Sequence, residues 1–174
     1  DQVALYAALL DAGKEFGAGP VGSRALMSLR VEKGYGSWGR DYSPEYWPHE
    51  SDLAGLIKED KDFLNKDAWL AIRDQAPREV MSLLEIDADG ADASGGEPVF
   101  LPDGTPAGQV SSGAYGYTVG KSLAIAYLKA SVAGPGDSVE VAILGRPHMA
   151  RVLEKPPFDP EGHRLRDRKP VAAE

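Results

Sequence analysis

After residue 78, about six short apolar runs recur at regular spacing along the chain. Runs of this kind, separated by Gly, Pro and Asp, are typical of antiparallel strands joined by tight turns. The predicted strands cover residues 79–86, 98–101, 107–111, 122–128, 138–144 and 148–154. Asp103-Gly104, between two of the runs, indicates a hairpin. The pattern predicts a small antiparallel β-barrel or sandwich in this part of the chain.

The first 76 residues have helical periodicity instead. One predicted helix begins near Val3, a second covers residues 23–32, and a third covers residues 66–75. Gly34 ends the second helix, because glycine tolerates the positive φ found after a helix C-terminus. The apolar side of the second helix is predicted to consist of Leu26, Met27 and Leu29, and that of the third of Ala68, Trp69 and Ile72.

Residues 35–50 have no clean period and predict an ordered loop. Aromatic residues alternate there with glycines, prolines and charges, and a short extended piece is predicted at 56–57. Two or three helices with a long loop do not easily close a core, so this part resembles one portion of a larger domain. The predicted fold class is α+β: part of a helical, loop-rich domain followed by a small antiparallel β-barrel.

Composition limits the classes of function. The net charge of -8 disfavours binding to nucleic acid, and the absence of cysteine excludes disulfides and thiolate metal sites. No apolar run approaches the roughly 20 residues that span a bilayer, and no basic region precedes the apolar start. We therefore expect a cytoplasmic protein without a nucleic-acid or membrane partner.

The segment from Ser28 to Gly39 is the most informative for function. It puts the carboxylate of Glu32 at a helix C-terminus, where the helix dipole disfavours an anion. One carboxylate can accept two parallel hydrogen bonds from the amino edge of a pterin, and aromatic side chains can pack on its faces. The alternative is that Glu32 pairs with Arg30 or Lys33 at the surface, and the residues alone leave both possibilities open.

The same segment resembles the aminomethyltransferase family, to which the T-protein of the glycine cleavage system belongs. The resemblance begins in Arg30-Val31-Glu32-Lys33-Gly34-Tyr35, which is similar to the family's helix end followed by glycine and an aromatic residue. It continues in Trp38-Gly39-Arg40-Asp41, Lys61-Asp62-Phe63-Leu64, Gly108-Gln109-Val110-Ser111-Ser112-Gly113 and Gly120-Lys121-Ser122-Leu123. Within the family, the pattern resembles the C-terminal part of dimethylglycine and sarcosine dehydrogenases.

The resemblance implies that this chain contributes to a tetrahydrofolate site. It implies that Glu32 contacts the pterin and that Tyr35, Trp38 and Arg30 belong to the cofactor-binding site. The implied activity is capture of a carbon released from an N-methyl amine as 5,10-methylenetetrahydrofolate. No catalytic residue is assigned, because the family's catalytic Asp lies in the N-terminal half of the domain.

The resemblance also implies an organisation and partners. Residues 1–76 correspond to the C-terminal portion of a folate-binding domain, 77–160 to a β-barrel domain, and 161–174 to a basic tail. The expected partners are the missing N-terminal half of the folate-binding domain and a flavin dehydrogenase domain or subunit. FAD would bind in that separate domain and not in this chain.

Two alternatives remain open. Leu26 stands where the T-protein has Arg, six residues before Glu32, so the chain can also be a structural or interaction module of an oligomeric dehydrogenase that no longer binds folate. The second alternative is a flavin-free, folate-dependent methyltransferase or demethylase. The Lys-Gly-Tyr-x-x-Trp-Gly pattern disfavours this alternative.

The remaining motifs have simpler interpretations. His49, His148 and His163 lack the spacing of metal ligands, so we expect no metal site. Ser111-Ser112-Gly113 is predicted to end a strand and residues 116–122 to connect two strands. The basic residues Arg164, Arg166, Arg168 and Lys169 indicate either a solvated terminus or a contact with an acidic partner or with the polyglutamate tail of folate.

Overall fold

The computed structural model describes residues 1–132 and 134–166. Four α-helices are present in these ranges: α1 Gln2–Gly13, α2 Ser23–Glu32, α3 Lys66–Ile72 and α4 His163–Arg166. The strands are β1 Glu79–Ile86, β2 Pro98–Phe100, β3 Pro106–Gly116, β4 Lys121–Lys129, β5 Ser138–Ile143 and β6 Arg146–Leu153. The predicted mixture of helices and strands is confirmed, and the basic residues Arg168 and Lys169 lie outside the described residues.

The six strands form a closed antiparallel barrel in the order β1-β4-β3-β2-β5-β6. Closure pairs the first strand with the last, with Ile86 opposite Ala150, so neither strand is left with an open edge. Small and branched apolar side chains, among them Leu84, Val110 and Val141, fill the interior. The predicted barrel is therefore confirmed, and the open sandwich is excluded.

Strand β3 is longer than predicted and contains a β-bulge. Its pairing with β4 shifts between Val110 and Ser112, so Ser111 is the extra residue. Neighbouring side chains on a regular strand point to opposite faces, and a bulge relaxes this alternation. Both Ser111 and Ser112 can then reach the segment that packs beside the barrel. The prediction that these serines end a strand is wrong, because pairing with β4 continues to Gly116.

Helix α2 packs on the barrel, but the helix face that contacts the barrel differs from the predicted apolar face. Its buried residues are Ser28, Val31 and Glu32, whereas Leu26 and Leu29 are at least half exposed. The predicted apolar side is therefore wrong for the two leucines, which are exposed, whereas Met27 is partly buried. Gly34 follows the helix with φ of +68° and ends it as predicted.

Helix α1 buries no residue in this chain. Apolar side chains nevertheless occur on all its faces, and Val3, Leu5, Tyr6 and Leu9 are more than half exposed. A helix that is apolar all round belongs in the interior of a larger structure. Among the residues that the structure describes, no surface covers this helix.

The segment between α2 and β1 consists of turns, one 3-10 turn and α3. Residues 35–50 form the predicted loop, which we call the aromatic loop. The piece at 56–57 is extended only at Ile57, because residues 54–56 form a 3-10 turn closed by the hydrogen bond from the amide of Ile57 to the carbonyl of Ala54. In α3, Trp69 is buried as predicted, whereas Ala68 is exposed.

Candidate functional site

Glu32 lies in the last turn of α2 and is completely buried against the turn between β3 and β4. Its Oε1 accepts a 2.7 Å hydrogen bond from the backbone amide of Thr118. Its Oε2 is also buried and has no hydrogen-bond partner among the residues that the structure describes. Because a buried carboxylate oxygen without a partner is costly, a further hydrogen-bond donor to this oxygen would stabilise the site.

The end of α2 explains how a carboxylate is tolerated at this position. The amide of Tyr35 bonds to the carbonyl of Arg30, and the amide of Gly34 bonds to the carbonyl of Val31. This pair of bonds is a Schellman motif, which satisfies carbonyls that carry the negative end of the helix dipole. The amide of Thr118 then supplies a donor to Glu32 from outside the helix. The alternative that Glu32 pairs with Arg30 or Lys33 at the surface is wrong, because these cations pair with Asp41 and Asp159 instead.

Arg30 holds the aromatic loop against the barrel. Its Nη1 lies 2.8 Å from Oδ2 of Asp41, and its Nη2 donates a 2.7 Å bond to Oγ of Ser112. The Asp41 carboxylate is fully buried and also accepts a 2.6 Å bond from the hydroxyl of Ser111. Both serines of the bulge in β3 therefore belong to one network with this ion pair.

A second network, around Tyr127 of β4, fastens the same loop. The Tyr127 hydroxyl donates a 2.8 Å bond to the carbonyl of Asp41 and lies 2.8 Å from Oγ of Ser51. The ring of Tyr46 stacks on that of Tyr127 with centroids 3.4 Å apart. Burial raises the pKa of Tyr127 to about 12, so this hydroxyl keeps its proton at neutral pH.

Glu50 and Arg78 join the end of the loop to the start of the barrel. Both carboxylate oxygens of Glu50 accept hydrogen bonds from Arg78, at 2.6 to 2.9 Å, and Oε2 also accepts one from the amide of Trp47. The Arg78 side chain lowers the pKa of Glu50 to about 2. This carboxylate is therefore a structural anion and is fully engaged within the protein.

Tyr35 and Trp38, the two predicted aromatic site residues, lie after α2 on the open side of the aromatic loop. The Tyr35 ring is half exposed, and Trp38 is 78% exposed. Gly36 lets the loop fold tightly here, because a Cβ at this position would lie 2.4 Å from the Tyr42 ring. The four predicted residues are thus close in the fold but differ in setting: Arg30 and Glu32 point toward the barrel, whereas the two aromatics face outward.

Sequence reasoning missed the residues that hold this region together. Asp41 was noted only within the family-like segment Trp38-Gly39-Arg40-Asp41, and Ser111 and Ser112 were interpreted as a strand end. The bulge that turns both serines toward the loop leaves no periodic signal in the sequence. No group of three or more His, Asp or Glu suited to a metal ion occurs in the described ranges.

Two family models match this chain. The GCVT N-terminal domain matches residues 1–61, and the glycine cleavage T-protein C-terminal barrel domain matches residues 80–159. The chain therefore belongs to the glycine cleavage T-protein, or aminomethyltransferase, family. No helix among the described residues is long and apolar enough to cross a membrane.

Curated relatives include a dehydrogenase and an oxidase by name. "Dimethylglycine dehydrogenase, mitochondrial" of Mus musculus is 33% identical over 90% of this chain and 18% of its own length. "4-methylaminobutanoate oxidase (formaldehyde-forming)" of Paenarthrobacter nicotinovorans is 40% identical over 91% of this chain and 19% of its own length. This chain thus spans less than a fifth of the length of these relatives.

The fold has a solved counterpart. The crystal structure of glycine cleavage system aminomethyltransferase T from Bartonella henselae superposes with a TM-score of 0.71 and 23% identity. The match covers 78% of this chain and 38% of the crystallised chain. At this identity the likeness supports the fold and not a residue's role.

Proposed function

We propose that this chain is the tetrahydrofolate-binding portion of a demethylating enzyme that acts on N-methyl amines. In the complete protein, a separate flavin domain oxidises the amine, and tetrahydrofolate supplies the nucleophilic nitrogens that capture the released carbon as 5,10-methylenetetrahydrofolate. The membership of the family and the names of the two relatives support this class of reaction. Residues 1–76 would belong to the folate-binding domain and 77–160 to the barrel.

The observation that carries the proposal is the unpaired, buried Oε2 of Glu32. A pterin carries adjacent N–H donors on one edge, and a single such donor satisfies this oxygen while Oε1 stays bonded to Thr118. A charge-assisted hydrogen bond of this type is worth about 1.5–3 kcal/mol. Because the carboxylate is shielded from solvent, contact with a ring requires a covering side chain to move.

Tyr35 and Trp38 have a different part in the proposed site. Tyr35 is half exposed and Trp38 is 78% exposed, so both rings are accessible to a ligand or another protein. Trp38 would pack on a face of the folate, and Tyr35 would form the rim. Arg30 is already bonded to Asp41, Ser112 and the carbonyl of Tyr35, so we assign it to positioning the loop that carries these rings.

The site is completed by polypeptide outside this chain. Helix α1 has no buried residue, although its side chains are apolar on every face. More than half of the crystallised aminomethyltransferase has no counterpart here, since the match covers 38% of it. We propose that the N-terminal half of the folate-binding domain covers α1 and contributes the catalytic carboxylate, with the flavin domain or subunit beside it.

A second candidate function also has support from one observation. Glu32 is buried by this chain's own β3–β4 turn, and its bond to Thr118 fastens the helix to the barrel. This arrangement would suit a structural module that holds an oligomeric dehydrogenase together without binding folate. In that case Glu32 would matter for stability alone.

Product analysis with the full-length protein distinguishes the candidates. The enzyme is supplied with dimethylglycine or 4-methylaminobutanoate, with and without tetrahydrofolate, and both free formaldehyde and 5,10-methylenetetrahydrofolate are measured. The proposal expects tetrahydrofolate to replace free formaldehyde by the methylene product at an unchanged rate of amine oxidation. Unchanged formaldehyde release would favour the structural module, and 5-methyltetrahydrofolate formed without a flavin would favour a flavin-free methyltransferase.

A further inference from the structure

The segment that follows β6 turns back across the end of α2, and we call its residues 155–162 the C-terminal strap. The amide of Phe158 donates a 3.2 Å hydrogen bond to the carbonyl of Glu32, the residue whose carboxylate would hold the pterin. Pro156 packs on Gly34, where an added Cβ would lie 3.0 Å from Cγ of the proline. The strap therefore contacts the last residue of α2 and the glycine that ends the helix.

This contact completes the hydrogen bonding at the C-terminus of α2. The last four carbonyls of a helix have no partner inside the helix and need one from elsewhere. The carbonyls of residues 29–31 accept hydrogen bonds from the amides of residues 33–35, which directly follow the helix. The fourth carbonyl, that of Glu32, accepts its hydrogen bond from Phe158 of the strap. The turn that carries the Glu32 carboxylate is thus held partly by a distant segment of the chain.

A shielded ion pair fastens the strap next to this turn. Nζ of Lys33 lies 2.9 Å from Oδ2 of Asp159, and the two side chains are only 13% and 10% exposed. Oδ1 of Asp159 accepts a 2.8 Å hydrogen bond from the amide of His163, the first residue of α4. The hydrogen bond from Lys33 lowers the pKa of Asp159, so this carboxylate is charged at neutral pH. The same Nζ lies 5.8 Å from the ring centroid of Tyr35, so the pair adjoins both Glu32 and Tyr35.

We propose that Asp159 is a positioning residue for the folate site: through Lys33 it fixes the last turn of α2 and, with it, the carboxylate of Glu32. The inference rests on the proposed function, because Glu32 is the residue that would meet the pterin. Asp159 itself does not touch the ligand. Without the ion pair the helix end frays, a smaller fraction of molecules presents Glu32 in the binding position, and the apparent affinity falls by that fraction.

The test is steady-state kinetics of the full-length enzyme with saturating dimethylglycine or 4-methylaminobutanoate and increasing tetrahydrofolate, at a temperature well below unfolding. The variants are Asp159→Asn, Lys33→Gln and the double variant. Asparagine tolerates the positive φ of 44° at position 159 and keeps an oxygen that can accept from the His163 amide. Glu161→Gln is the matched control, because it removes an exposed ion pair with Lys155 within the same strap.

We expect KM for tetrahydrofolate to rise about fivefold in each single variant, while kcat for formation of the methylene product stays at the wild-type value. The double variant should lose no more than either single variant, because the two side chains act as one unit. Glu161→Gln should keep the wild-type KM. The two single variants remove opposite partners, so the pair can still be tested if one of them does not fold.

The outcomes separate this inference from the proposed function. A wild-type KM in the folded variants would overturn the role of Asp159 and leave the proposed function standing, even if thermal stability falls, because the strap would then support the fold alone. Losses that multiply in the double variant, or an equal loss in Glu161→Gln, would also overturn it. If the wild-type enzyme forms no methylene product from tetrahydrofolate, the proposed function fails, and the role of Asp159 fails with it.

Discussion

The backbone amide of Thr118 lies 2.7 Å from Oε1 of Glu32 and joins the last turn of α2 to the β3–β4 turn of the barrel. One turn earlier, the hydroxyl of Ser28 donates a 2.7 Å bond to the carbonyl of Tyr115. The helix that would hold the pterin is thus oriented by the barrel. A substitution in the β3–β4 turn should therefore shift the position of the Glu32 carboxylate.

Gly116→Ala should destabilise this junction. A Cβ at position 116 would lie 2.9 Å from Cγ of Glu32, closer than carbon atoms pack in real structures. Overpacking of this kind costs about 1–3 kcal/mol, which chemical denaturation can measure. Gly55→Ala is the matched control, because nothing lies within 4 Å of a Cβ at that position. Equal stability of both variants would show that the helix does not rest on the turn as described.

Arg30→Ala should cost far more than removal of an exposed arginine. It leaves the fully buried carboxylate of Asp41 without its cation, and breaking a buried pair costs about 3–5 kcal/mol. Arg73→Ala removes a partly exposed pair with Glu59, for which about 0–1 kcal/mol is expected. Urea unfolding of the two variants measures the difference, and similar losses would argue against a structural role of Arg30.

The Glu50–Arg78 pair should make stability sensitive to acid. The folded-state pKa of Glu50 is lowered from 4.5 to about 2, chiefly by the hydrogen bonds from Arg78. A lowered carboxyl pKa stabilises the folded state fully above pH 4.5, and this contribution is lost as pH falls from 4.5 toward 2. Glu50→Gln should be less stable than wild type at about pH 6, and the difference should shrink at about pH 3. A difference independent of pH would contradict the assignment.

Leu9→Asp should test whether α1 is covered in the full-length protein. Burying a carboxylate in an apolar interface costs several kcal/mol, so we expect a clear loss of thermal stability in the full-length protein. In this chain alone the side chain is 63% exposed, and the substitution should have little effect. Leu144→Asp, at an exposed hairpin tip, is the control. A full-length variant as stable as wild type would contradict the proposed covering.

Local patterns in the sequence predicted the elements well. The bounds of α2 and β1 agree with the prediction, because Gly34 and the apolar run of β1 are strong local signals. The face of α2 was predicted wrongly, since Leu26 and Leu29 were assigned to a core that this chain does not supply. Apolar periodicity predicts which face of a helix is suited to burial, but it does not show which part of the protein packs against that face.

The candidate site was predictable only in part. Glu32 was noted as an anion at an unfavourable helix end, and the structure gives it an amide donor from a residue 86 positions away. That partner, like the contacts of Asp41 with Ser111, depends on the bulge and turn of a barrel and on no local motif. Long-range pairing of this kind carries no short-range signal in one sequence.

Titration of the full-length protein with tetrahydrofolate, comparing wild type with Glu32→Gln, tests the central claim most directly. Glutamine keeps an acceptor for the Thr118 amide but removes the negative charge from the oxygen that is proposed to face the pterin. We expect affinity to fall about tenfold or more, while Glu154→Gln, an exposed control, binds as wild type does. Equal affinity of wild type and Glu32→Gln would contradict the claim that this carboxylate holds the pterin.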